Sequence, residues 1–104
     1  MRVYWTLDAR QRLQEIEAHI ALDSPQAAKA TAERLLRRSL ILESPPLLGR
    51  RLTRYEGDDV RELLERPYRL IYRVRSDHIE ILTLLHYRQL LPSDLEELLS
   101  GGRS

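Results

Sequence analysis

Two runs of alternating residues, Tyr68–Arg75 and His78–His86, are separated only by Ser76-Asp77, and this spacing constrains the fold more than any other feature of the chain. So short a connection implies an antiparallel hairpin and sets the register from the loop outward. Pairing Arg75 with His78 places Val74 opposite Ile79, Tyr72 opposite Ile81, Leu70 opposite Thr83 and Tyr68 opposite Leu85. Successive side chains of a strand point to opposite faces. These eight therefore share one nearly all-apolar face, which is the predicted core side. The other face carries Arg69, Ile71, Arg73 and Arg75 against His78, Glu80, Leu82, Leu84 and His86, with Arg73 directly across from Glu80.

Upstream, the apolar period is helical. Arg2–Trp5 suits a short strand, and Thr6 can cap a helix that carries Asp8 in its first turn. Ala9, Leu13, Ile16 and Ile20 then fall on one helical face. Ser24-Pro25 opens a second helix through Ala28, Ala32, Leu35 and Leu42, which must stop near Glu43 or Ser44 because Pro45-Pro46 cannot continue it. The short Asp23-Ser24 interruption makes the two helices antiparallel neighbours. Beyond the prolines, Leu48–Thr53 reads as an edge strand or a loop, Tyr55–Asp59 as a turn, and Val60–Glu65 as a strand broken by Arg66-Pro67. Leu63 and Leu64 compete for its inner side, which leaves the direction of Arg61 open. After Pro92, Ser93-Asp94-Leu95-Glu96 is a capping box for a short helix that Gly101-Gly102 would end.

The predicted class is α+β: an antiparallel sheet of three or four strands, packed on one face by an N-terminal α-helical hairpin, with a short C-terminal helix. One domain over residues 1–100 and a loose tail over 101–104 are expected. The absence of cysteine excludes disulfides, Cys-based zinc sites and a thiol nucleophile. His19, His78 and His86 lack metal-ligand spacing, Gly49 and Gly57 are isolated rather than part of a phosphate loop, and no cofactor is expected. No segment approaches a membrane span or a signal peptide, so a cytoplasmic protein with no membrane partner is expected.

The net charge is only +1 but unevenly spread: residues 44–75 hold eight arginines against five acids, while 76–104 hold two against five. Lys29 is the only lysine. Arginine grips carboxylate and phosphate with a planar fork, although a GC-rich genome alone would favour it. The outer face of the hairpin is neither plainly polar nor plainly buried. Ile71, Leu82 and Leu84 form an apolar strip flanked by Arg69, Arg73 and His86, and exposed strips of this kind mark partner sites. The competing reading folds the C-terminal helix over it through Leu95, Leu98 and Leu99. As chemistry, the candidates are Arg61, Arg69, Arg73, His86, Tyr87 and Arg88, and a ribonuclease would use Arg61, Arg69, His86, Tyr87 and Arg88, with His86 and Tyr87 in proton transfer and the arginines stabilising phosphorane charge. The plainer readings are a strand-end histidine, an edge tyrosine, and arginines paired with Glu62, Glu65 or Glu80.

In this order the pieces resemble the RelE/ParE toxin superfamily over nearly the whole chain. The residues that carry the resemblance are Trp5 with Ala9 and Leu13, Ser24-Pro25-Gln26-Ala27-Ala28, Leu42 to Gly49-Arg50, Arg61-Glu62-Leu63, Tyr68-Arg69-Leu70-Ile71-Tyr72-Arg73-Val74, and Ile81 through Leu85-His86-Tyr87-Arg88. The resemblance implies a type II toxin–antitoxin module whose antitoxin, a ParD-like or related DNA-binding protein, docks on the mixed face through Arg69, Ile71, Arg73, Leu82, Leu84 and His86. Two branches differ in target. ParE-like members look like inhibitors of DNA gyrase; RelE-like members, with a YoeB-like branch, cut messenger RNA on the ribosome. Arg69 and Arg88 match basic positions of the RelE-type pattern, and Arg61 stands where a lysine is expected. Leu63, however, replaces a second lysine, and Leu91-Pro92-Ser93-Asp94 stands where a tyrosine is expected. The alanine-rich second helix and Leu85-His86-x-Arg88 look more like ParE, and an inactive remnant serving as an antitoxin-binding corepressor is a third possibility.

Overall fold

The structure, a computed structural model, describes residues 1–91 together with Leu95 and Leu99. Strand β1 (Arg2–Trp5) leads into helices α1 (Leu7–Ala21) and α2 (Pro25–Leu40), and a 3₁₀ turn over Ile41–Glu43 follows. Strands β2 (Arg50–Arg51), β3 (Asp59–Glu65), β4 (Tyr68–Val74) and β5 (His78–His86) complete the fold. They form one sheet in the order β1-β5-β4-β3-β2. Among the described residues the sheet thus has five strands and is mixed, since β1 runs parallel to β5 while the other pairs are antiparallel. The expectation of three or four antiparallel strands falls short here for a definite reason. A parallel neighbour is joined through a long crossover, so nothing local to Arg2–Trp5 marks its partner.

The helical hairpin forms as its caps dictate. Thr6 accepts a hydrogen bond from the Ala9 amide at 3.1 Å, and Ser24 accepts one from Ala27 at 3.1 Å with Pro25 in the first turn. Ala9, Leu13 and Ile16 of α1 and Ala28, Ala32 and Leu35 of α2 are buried. Leu42 lies in the 3₁₀ turn and is fully buried. With Leu63, Leu70, Tyr72, Ile79, Ile81 and Leu84, all of these but Ala28 make the main core, each large aliphatic side chain contributing about 1.5–3 kcal/mol through removal from water.

The β4–β5 hairpin begins in the expected register. The Arg75 amide bonds to the His78 carbonyl at 2.8 Å, and Val74 faces Ile79, Arg73 faces Glu80 and Tyr72 faces Ile81. The ladder then slips: Ile71 faces Thr83, Leu70 faces Leu84, Arg69 faces Leu85 and Tyr68 faces His86. Leu82 is the extra residue of a β-bulge, and every later side chain of β5 changes face. Leu84 and His86 therefore turn toward the helices and Leu85 away from them, which corrects the placement of Leu84 and His86 on the reverse face. The carbonyls at the bulge are met by one hydroxyl. Thr6 Oγ1 donates to the Ile81 carbonyl at 3.0 Å and lies 3.1 Å from that of Leu82. The helix cap and the strand irregularity are therefore a single device.

The reverse face is not open. Ile71, Leu82 and Leu85, with Val60 of β3, pack against Leu52 and Tyr55 from the β2–β3 connection and against Leu95 and Leu99. Ile71 is 0% and Leu82 1% exposed. The apolar strip is thus a second core, covered in part by the chain's own C-terminal region, as the competing reading had it. Leu95 and Leu99 are helical; the capping box at Ser93-Asp94, Leu98, the Gly101-Gly102 stop and the 101–104 tail lie outside the described residues.

Candidate functional site

Polar groups gather at both ends of the reverse face, and the two ends differ in character. At the β4–β5 loop end, Arg73 is 2% exposed and its Nε donates to Glu80 at 2.9 Å. Its Nη1 donates to the Leu99 carbonyl at 2.9 Å and to Asp58 at 3.3 Å. This is the cross-strand pair read from the sequence, now buried beneath the second core, and it is structural. Arg73 cannot serve as a surface contact here.

At the other end lies a shallow cleft of about 220 Å³ lined by Arg50, Glu62, Leu64, Arg66, Arg69 and Tyr87. Strand alternation sends Glu62 and Leu64 to the reverse face, and the β3–β4 ladder sets Arg69 beside Leu64. Glu62 is buried and both its oxygens are occupied. Arg50 donates through Nε and Nη2 to Oε1, while Arg69 Nε donates to Oε2 at 2.8 Å. Arg69 Nη1 also donates to the Gln89 carbonyl at 2.7 Å. The Tyr87 amide bonds to the Pro67 carbonyl at 2.7 Å and so brings the ring to the turn that carries Arg66. The Arg66 guanidinium lies 5.9 Å and that of Arg88 5.2 Å from the ring centroid, and Arg88 Nε donates to the Tyr87 hydroxyl at 2.8 Å. Tyr87 is 40% exposed and forms part of the open wall.

Burial raises the Glu62 carboxyl, but the hydrogen bonds from Arg50 and Arg69 and their charges outweigh it, and the net direction is downward. A depressed carboxylate stabilises the fold above its unfolded pKa of about 4.3, and that stability is lost as pH falls through the lower folded value. Glu62→Gln should therefore cost about 1–3 kcal/mol at neutral pH, and the difference from wild type should shrink as the medium is acidified. Urea unfolding of both proteins across the acid range reads this directly; a cost independent of pH would show that the ion pairs contribute nothing.

Of the five residues expected to act together in RNA cleavage, the cleft gathers Arg69, Tyr87 and, through Tyr87, Arg88. Arg61 and His86 go elsewhere. Arg61 shares the helix side with Tyr72, donates to Asp59 at 2.8 Å and holds the Gly49 carbonyl at 3.0 Å. Tyr72 pins the same segment, accepting from the Gly49 amide at 2.7 Å and donating to the Pro46 carbonyl at 3.0 Å. A Cβ on Gly49 would fall 2.5 Å from the Glu62 carbonyl, so the close approach requires glycine. His86 lines a separate cleft beneath α1 with Arg12, Glu15, Ile16, His19 and Tyr68. Its ring touches that of Tyr87 around the sheet end, with centroids 4.9 Å apart, but the two open to different clefts.

The sequence reading missed Arg50, Arg66 and Gln89. Gln89 organises the strand end, since its Oε1 accepts from the His86 amide at 2.8 Å and from Arg12 at 3.3 Å. None of the three belongs to a periodic pattern; the β2–β3 pairing places Arg50, and the Arg66-Pro67 turn and the end of β5 place the other two. Among the described residues no group of three or more His, Cys, Asp or Glu is arranged to hold a metal ion. No described helix is long and apolar enough to cross a membrane.

Comparison with known proteins agrees with this architecture. Residues 3–91 match the family model described as the ParE toxin of type II toxin-antitoxin system, parDE. The chain is 37% identical over 94 residues to a Sinorhizobium fredii (strain NBRC 101917 / NGR234) protein named "Putative toxin Y4kP", covering 90% of this chain and 96% of that one. It is also similar to a chain in the solved structure of a chromosomal ParDE TA system from P. aeruginosa, with a TM-score of 0.70 and 28% identity over 83% of this chain and 95% of that chain. The fold, the matched span and the relatives agree: the chain belongs to the ParE toxin family of type II toxin–antitoxin systems.

Proposed function

We propose that the chain is a ParE-like toxin that inhibits DNA gyrase by binding, without hydrolytic chemistry of its own, and that a ParD-like antitoxin neutralises it. The observation that carries the non-enzymatic reading is the state of Glu62. It is the one carboxylate lining the arginine cleft, and both its oxygens are occupied by Arg50 and Arg69. A general base must reach the proton that it removes, and His86 lines the cleft on the other side of the sheet. Grip without proton transfer suits an inhibitor better than an endonuclease.

The antitoxin's contacts move with the corrected register. Ile71, Leu82 and Leu84 are buried, so the mixed strip no longer offers them to a partner. Arg69 and His86 keep partial exposure. A groove of about 510 Å³ where the end of α2 meets the end of β3 is lined by Arg34, Arg37, Arg38, Leu40, Ile41 and Glu65; its wall is mainly apolar, and Glu65 pairs with Arg34 and Arg38. It suits an amphipathic acidic segment of the antitoxin.

Induction of the chain alone in bacteria tests the target. DNA-damage signalling with filamentation, and loss of supercoiling by purified gyrase on adding the purified chain, are the expected results. His86→Ala should remain fully toxic. Arrested translation with cleaved messages, abolished by His86→Ala, would establish the ribosome-dependent endonuclease instead; unhindered growth would point to a corepressor.

A further inference from the structure

We propose that the cleft formed by Arg50, Arg66, Arg69, Tyr87 and Arg88 is a binding site for the phosphodiester backbone of nucleic acid. The chain as a whole has a net charge of only +1. Here Arg50, Arg66 and Arg69 line the cleft with Glu62, the one carboxylate among its described lining residues, and Arg88 joins them through Tyr87, a local excess of three positive charges. Glu62 occupies Arg50 and Arg69 and fixes their planes; Arg66 and Arg88 hold no carboxylate among the described residues.

Those two guanidinium groups are nevertheless not loose. Tyr87 holds both through its ring and Arg88 also through its hydroxyl. A free arginine loses rotamer entropy when it is fixed on a ligand, and groups already ordered lose less. Pre-ordered planar forks with no carboxylate partner among the described residues suit a phosphate chain. An acidic peptide fits less well. Peptide anchors fill apolar pockets, and among the described residues the apolar walls here are Leu64, which is 45% exposed, and the Tyr87 ring. With both oxygens of Glu62 occupied, the site binds a backbone and does not cut it. That the bound backbone is not cut rests on the non-hydrolytic function proposed above; binding itself does not.

The test uses the purified full chain, with no gyrase present. Fluorescence anisotropy follows a labelled oligothymidine of about twelve nucleotides, and a labelled oligoglutamate of equal length, from about 50 to 200 mM salt. The oligothymidine should bind at low salt and more tightly than the peptide. Arg66→Ala/Arg88→Ala should weaken it at least about tenfold and flatten the log–log salt slope by about 1.4, the value for two lost single-strand phosphate contacts. Tyr87→Ala should weaken it about fivefold through lost ordering of the two guanidinium groups. Arg10→Ala/Arg75→Ala makes the same charge change at exposed positions away from the cleft and should have a smaller effect. Absence of oligothymidine binding, equal loss in the two double variants, or peptide binding as tight as nucleotide binding would each overturn the proposal, the last in favour of an acidic protein partner.

Discussion

Arg73→Ala should destabilise the protein by about 3–5 kcal/mol, the cost of leaving a buried charge without its partner. Glu80 is 6% exposed and sits directly across the hairpin. Without the guanidinium, its carboxylate keeps only His78 Nε2, at 3.6 Å, among the described ion-pair partners. Asp58 and the Leu99 carbonyl lose a donor in the same step. The β2–β3 connection and the C-terminal region are both tied to the sheet through this one side chain, so loosening should spread to Leu95 and Leu99. Replacing both partners with apolar residues, Arg73→Met/Glu80→Leu, should be milder than Arg73→Ala alone, because it leaves no buried carboxylate orphaned. Urea unfolding measures both. A loss under about 1 kcal/mol for Arg73→Ala would mean that water already solvates this network.

Leu84→Ala should cost about 2–5 kcal/mol, the range for deleting a fully buried leucine with partial collapse of the cavity. Leu84 is 0% exposed and belongs to the core beneath the helices. Stability alone does not report which face it is on; coupling does. Leu70 is its cross-strand partner in the bulged ladder. Leu70→Val and Leu84→Ala should therefore be non-additive by at least about 0.5 kcal/mol, as touching residues are. In an unbulged ladder Leu70 would face Thr83 and the coupling would vanish. Thr6 offers a third view of the same point, since its hydroxyl serves the bulge carbonyls and the α1 amide together.

Much of the frame was legible from local chemistry. The caps at Thr6 and Ser24, the proline stop after Leu42, the tight β4–β5 loop and the pairing of Arg73 with Glu80 all follow from residues within a few positions of one another or from a loop that fixes register. The resemblance to the toxin superfamily rests on these same pieces, and the family match spans them.

Tertiary structure alone decided the rest. Ile81-Leu82-Thr83-Leu84-Leu85 is apolar at nearly every position, so either face could be the inner one and alternation does not specify where the ladder slips. The slip is set by a hydroxyl 75 residues away in sequence. The parallel docking of β1, the closure over Ile71 and Leu82, and the gathering of Arg50, Arg66 and Tyr87 around Glu62 have the same origin. A local pattern can state which residues must be buried. Only the packed chain states against what, because burial carries no address until distant segments meet.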